Sequence, residues 1–251
     1  MAKVINIFNQ KGGVGKTTTT INLGAALAKK KQHVLIVDID PQANATSGLS
    51  IEDRSSNIYD LLESNRVTIQ HTSTPGLDVI PSDGELAGAE IAISEKENWQ
   101  YLLKTALAPI KDDYNFILID APPSLGVLSM LALVASDSLL IPVQSEYYAL
   151  EGVGNLMNTI AMVKENFNED LDVEGVVLTM YDGRTKLASG VKDEITKYFG
   201  DAVYQTTIPR NIRLAEAPSY GMHIFDYDNL SKGAWSYRRL CKEFLKKQVK
   251  A

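Results

Sequence analysis

A strand that runs straight into a glycine-rich loop and on into a helix commits a chain to very few folds. Residues 3–30 read as that unit. "KVINIF" (3–8) is a short apolar, β-branched run, "NQKGGVGKTTTT" (Asn9–Thr20) carries the loop, and 16–30 has helical spacing. Gly12, Gly13, Val14 and Gly15 form a cradle whose backbone can curl until successive N–H groups face one point, and the helix behind it adds its positive end. Such a point suits a phosphate. The usual loop of this kind is G-x-x-x-x-G-K-[ST]. Gly15, Lys16 and Thr17 fit its second half, but Gln10 stands where the first glycine should be, and a second lysine, Lys11, follows it. Lys16 is placed to reach the β- and γ-phosphates of a nucleotide, and Thr17 to offer its hydroxyl to Mg²⁺.

The rest of the chain repeats the β-then-α alternation. Apolar runs at 33–38, 77–81, 115–120, 137–143, 173–180 and 202–209 predict strands, and most are continuous rather than alternating. That pattern belongs to strands covered on both faces. Between them, 150–167 carries Val153, Met157, Ile160, Val163 and Phe167 at helical spacing, and 187–199 and 234–248 predict two more helices. The fold class that follows is α/β, a doubly wound, mostly parallel sheet of the P-loop NTPase kind. The chain of 251 residues has no repeat or long linker and is expected to form one domain, 1–251, ending in a basic helix at 234–248.

Two strands end in acids. "NFILIDAPP" puts Asp120 at a strand end, where such a residue typically holds a water on Mg²⁺. "VLIVDIDPQ" ends in Asp38 and Asp40, two residues apart and so on one side of an extended chain. Beside phosphate, at least one of them orients water or metal; the bland alternative is that they cap the strand and its turn.

Composition narrows the function further. The single cysteine, Cys241, excludes a disulfide framework, an all-cysteine zinc site and a cluster shared through paired thiolates, and it fits a reducing cytoplasm. The N-terminus is not a signal peptide, and the longest uncharged run, Ala121–Ser136, is too short to span a bilayer. A cytoplasmic protein is expected. The net charge of −6 gives no overall match to nucleic acid, but seven basic residues against Glu243 alone lie between Ser231 and Ala251.

Six ordered blocks, "KGGVGKTT", "VDIDPQANATSGL", "ILIDAPPSL", "PVQSEYYALEG", "VLTMYDGRT" and "IPRNIRLAEAPSYG", resemble the ParA/Soj family of deviant-Walker (SIMIBI-type) partition ATPases, in the short form without an N-terminal helix-turn-helix. The likeness runs from Lys3 to about Arg239. It implies an ATPase using ATP and Mg²⁺. It implies that Lys11 is the signature lysine that crosses to the other subunit of an ATP-sandwich homodimer, in the manner of an arginine finger. Asp40 would position the attacking water, and Thr18 would touch the α-phosphate side. Pro209 and Asn211 would line the adenine pocket, and Glu146 would meet the partner subunit near the nucleotide. Asn211 also suits the N-cap of a helix, and Tyr147 and Tyr148 suit either packing or the interface.

The same resemblance implies non-specific binding of double-stranded DNA by the ATP-bound dimer, nucleoid association in that state, and stimulation by a ParB-like partner. Arg184, Arg213, Arg238 and Arg239 are the candidate DNA contacts, against the alternative of solvated faces. The segment 234–250 also reads as a basic amphipathic helix, with Trp235, Leu240, Phe244 and Leu245 on one side. A MinD-like membrane-positioning ATPase is therefore the alternative, although a helix docked on its own domain is favoured over membrane contact.

Overall fold

In the computed structural model, which describes residues 1–66, 69–146 and 149–249, seven strands form one sheet. They are β1 (Lys3–Ile7), β2 (Val34–Asp38), β3 (Gln70–His71), β4 (Leu77–Ile80), β5 (Phe116–Asp120), β6 (Ser138–Gln144) and β7 (Asp172–Thr179). Their order is β3-β4-β2-β5-β1-β6-β7, and every pairing is parallel except the short β3–β4 edge. β1 lies between β5 and β6, so the chain reverses its winding there and the C-terminal ends of β1, β2 and β5 come together. In a doubly wound sheet that crevice is where ligands bind.

Helices cover both faces. On one face α1 (Lys16–Ala28) crosses the sheet centre and the C-terminal helix packs beside it. Ile5, Ile36, Leu118 and Val177 point into that layer from four strands. Val4, Leu35, Val37, Ile117 and Ile119 point the other way, and Leu128, Leu131 and Ala132 cover them from a helix at Val127–Ala135. The continuous apolar runs thus have the predicted cause: both faces are dry.

Of the remaining helices, α2 (Asn44–Gly48), α3 (Ala149–Asn166), α4 (Lys186–Phe199), α5 (Ile212–Glu216) and α6 (Lys232–Gln248) matter most for the site. Val153, Ile160 and Val163 of α3 are buried as expected, whereas Met157 is 38% exposed. In α6 the buried side is Tyr237, Leu240, Cys241 and Phe244, with Phe244 edge-on to Phe116 at 5.2 Å. Trp235 faces solvent at 59% exposure and does not share a side with Leu240 and Phe244. The expected strand at 202–209 is also corrected. That segment makes only isolated bridges, from Val203 to Val176 of β7 and from Pro209 to Tyr181 just beyond it. The N–H groups of Gln205 and Thr206 are donated to the carboxylate of Glu243 on α6, at 2.7 and 3.0 Å. Those two donors therefore never enter a ladder. Tyr147 and Tyr148 lie outside the described residues.

Candidate functional site

Helix α1 begins without a cap. Gly15 takes the N-cap place with φ 92° and ψ 29°, and no side chain accepts from the first turn. A helix start ordinarily leaves its first N–H groups without intrahelical partners. Here these groups sit at the crevice mouth, behind a loop in which Gly13 and Gly15 both hold positive φ. A Cβ at Gly12 or Gly13 would meet nothing within 4 Å, so the loop is open on its outer side. This is an anion cradle in geometry as well as in sequence.

Three acids stand below it. Asp38 and Asp120 are register partners on β2 and β5, at 0% and 1% exposure. Thr17 donates to Asp120 Oδ2 at 2.7 Å and Thr20 to Oδ1 at 3.0 Å. Asp38 accepts from the N–H and the hydroxyl of Thr46 at 2.9 and 2.7 Å, and from the Asp40 N–H at 3.2 Å. It therefore fixes the turn from 40 to the start of α2. Burial pushes both carboxyls well above the usual range; for Asp120 the charge of Asp38 adds to this, against the hydrogen bonds from Thr17 and Thr20. Asp40 remains at the rim, 8% exposed, accepting from the Gln42 N–H at 2.9 Å. Lys16 is 7% exposed, and its ammonium donates to the Lys11 carbonyl at 3.4 Å. Burial lowers its pKa, and the charges of Asp120 and Asp40 oppose that shift.

The donor set suits Mg²⁺. Thr17 and Asp120 offer hard oxygens, and two buried acids with raised pKa values are short of positive charge. Among the described residues no three acidic, histidine or cysteine side chains converge as a ready-made cage. Mg²⁺ needs none, since it usually keeps waters and takes its other ligands from phosphate.

Beside the loop lies a cavity of about 360 Å³, lined by Gly15, Thr18, Met180, Pro209, Asn211 and Tyr237 among others. It joins the loop to Pro209 and Asn211, which are far apart in sequence. Asn211 is also the N-cap of α5, accepting from the Arg213 N–H at 2.8 Å. Three contributors went unseen in the sequence. Thr179 donates to the Val14 carbonyl at 2.8 Å and ties β7 to the loop. Met180 takes φ 49° at the end of β7, a conformation costly for a non-glycine. Tyr237 reaches up from α6 and shares a 3.1 Å hydrogen bond with Thr19. Thr179 and Met180 lie inside the block "VLTMYDGRT", but nothing in that block singled them out, and Tyr237 had only its place in a helical segment as a signal.

Lys11 is 43% exposed along its side chain and lies 3.7 Å from Glu146, which also stands 3.8 Å from Arg210. The four candidate DNA arginines do not form one cluster of free charges. Arg184 pairs with Asp182 at 2.7 Å, and Arg213 with Glu216 and Asp228 at 3.0 and 3.5 Å. Arg238 binds Asn229 and sits over the Phe225 ring at 5.1 Å. Arg184 and Arg239 line neighbouring grooves that share Tyr181, Pro209 and Lys232.

Comparison with known proteins gives consistent matches. Residues 2–173 match a family described as an AAA domain. The chain is 54% identical to the sporulation initiation inhibitor protein Soj of Bacillus subtilis, over 97% of this chain and 98% of that one. It is 46% identical to the chromosome partitioning protein ParA of Myxococcus xanthus, over 99% and 90%. Among solved structures, cobyrinic acid a,c-diamide synthase from Mycobacterium smegmatis, with bound ADP and magnesium, superposes with a TM-score of 0.85 at 33% identity, over 99% and 96%. The cell division ATPase MinD of Pyrococcus furiosus gives 0.80 at 27% identity, over 98% and 100%.

Proposed function

The chain belongs to the ParA/Soj family of chromosome-partitioning ATPases, and from that premise we propose that it is an ATP-driven dimerisation switch for DNA segregation. The observation that carries this reading is the uncapped start of α1, with buried Lys16 beneath the loop and buried Asp120 bonded to Thr17.

In this reading the N–H groups of residues 12–17 and the Lys16 ammonium bind the β- and γ-phosphates of ATP. The adenine enters the cavity between Thr18, Pro209 and Asn211. Thr17 directly, and Asp120 and Asp38 through water, would hold Mg²⁺, which when bound supplies charge neutralisation between the phosphates. Asp40 orients a water for in-line attack on the γ-phosphorus, and the bond to the bridging oxygen breaks as the new P–O bond forms. Position and electrostatics supply most of the rate. Lys11 is the cation given across the dimer, and Glu146 lies at the same edge. An isolated subunit lacks that cation, so intrinsic turnover is slow and rises with a ParB-like partner.

The ATP-bound dimer then holds double-stranded DNA without reading its sequence. Arg184, Arg213, Arg238 and Arg239 remain the proposed contacts, with Lys232 beside Arg184 and Arg239. Doubling these patches in a dimer compensates for weak single sites. A cytoplasmic, nucleoid-associated protein follows. Two features favour this over membrane positioning of the MinD kind. The apolar side of α6, from Tyr237 to Phe244, is buried in the domain. The identity to partition proteins, 54% and 46%, also exceeds the 27% to the MinD structure.

The test is DNA retention with ATP or ADP across a salt series. Retention with ATP alone, falling steeply with salt, supports the switch; equal retention with ADP counts against it. Sedimentation with anionic vesicles in ATP checks the membrane alternative.

A further inference from the structure

We propose that Gln10 is a positioning residue for Lys11, acting through Thr159 on α3. Gln10 stands where an ordinary phosphate loop carries glycine, and a glycine there could make no side-chain bond. Its Nε2 donates to Thr159 Oγ1 at 2.8 Å. Thr159 is 7% exposed and donates its own hydroxyl to the Asn155 carbonyl at 3.1 Å, which fixes the acceptor. The preceding residue is tied as well. Asn9 Nδ2 donates to the Pro142 carbonyl on β6 at 2.8 Å, and Asn9 Oδ1 accepts from the Lys11 N–H at 2.9 Å.

The backbone entering Lys11 is therefore held at three points, on β6, on α3 and at its own amide. The next two residues have no such side-chain anchor: Gly12 and Gly13 are open on their outer side, Gly13 has φ 74°, and the next tie is at Val14, whose carbonyl accepts from Thr179. Lys11 is the last anchored residue before the curl. Its stem leaves a fixed base and runs outward, with Glu146 as counter-ion at 3.7 Å. A long flexible cation that must meet a phosphate on another subunit gains from a fixed base, since less freedom is lost on contact. The usual glycine's task of curvature has moved to positions 12 and 13, which leaves position 10 free to anchor.

This inference rests on the trans-lysine reading above, and the test separates the two. Dimerisation is measured by sedimentation equilibrium with Mg²⁺ and a non-hydrolysable ATP analogue. Affinity for Mg-ADP, which involves one subunit, is measured beside it. Gln10→Ala and Thr159→Val are each expected to weaken the dimer about three- to tenfold, with Mg-ADP affinity unchanged. Thr159→Ser keeps the hydroxyl and should match the native protein. In a Lys11→Ala background, Gln10→Ala should add nothing. An unchanged dimer in both single variants, or a parallel loss of Mg-ADP affinity, would overturn the positioning role. A Lys11→Ala protein that dimerises like the native one would instead overturn the trans-lysine reading, and this inference with it.

Discussion

Asp38 and Asp120 are register partners at the ends of neighbouring parallel strands, and both are sealed from solvent. Two carboxyls at one level of a dry sheet hold positive charge well and tolerate its absence poorly. Each is kept in place by threonines: Thr46 for Asp38, Thr17 and Thr20 for Asp120.

This arrangement sets a pH dependence. Both acids have folded pKa values above their unfolded ones, chiefly through burial. The native state then binds more protons than the unfolded state across the window between those values. Their contribution to the stability of the nucleotide-free protein falls as pH rises from the ordinary carboxylate range through that window, and is level above it. Thr46→Val removes a hydroxyl donor from Asp38 and the acceptor of the Ser82 N–H. It is expected to cost about 2–4 kcal/mol at pH 8 and less at pH 5, where Asp38 is protonated. Denaturant melts at the two pH values check both signs; an equal cost at each would count against a charged Asp38.

Lys16→Ala is expected to weaken ATP binding by about a hundredfold or more, because a buried ammonium aimed at phosphate is lost. Calorimetric titration with Mg-ATP measures it. Near-native affinity would refute the role given to the loop.

Asp40→Ala is expected to slow hydrolysis by about a hundredfold or more while leaving ATP binding intact. The protein should then stay dimeric and remain on DNA. Phosphate release and analytical centrifugation give the two readings, and normal turnover would remove Asp40 from the water-positioning role.

Asn6 is fully buried in β1, and neither its Nδ2 nor its Oδ1 has a partner among the described residues. No partner in the structure accounts for it. Asn6→Val exchanges an unsatisfied amide for a β-branched apolar side chain on the central strand, and should raise stability by about 1–3 kcal/mol. A destabilised variant in urea melts would count against an unsatisfied amide at this position.

Much of this protein is set by local sequence. Continuous apolar runs specify strands covered on both faces, so β1, β2, β4, β5, β6 and β7 appear where the pattern puts them. Glycines followed by Lys16-Thr17 specify a cradle, because loop curl and helix start are local geometry. Other features depend on chain segments meeting. The run at 202–209 has strand-like residues, but Glu243, nearly forty positions away, takes two of its N–H groups. Trp235 and Phe244 share a helix, and only the position of the sheet decided which of them is buried. Thr179, Met180 and Tyr237 join the cavity because β7 ends and α6 begins beside the loop, a meeting of chain segments that local sequence does not encode. Gln10 shows the boundary most clearly. The sequence by itself determined that a phosphate loop lacked its first glycine and carried an extra lysine. Only the tertiary structure brought Thr159 within a hydrogen bond of Gln10, because that contact spans 149 positions and arises from packing α3 against the loop.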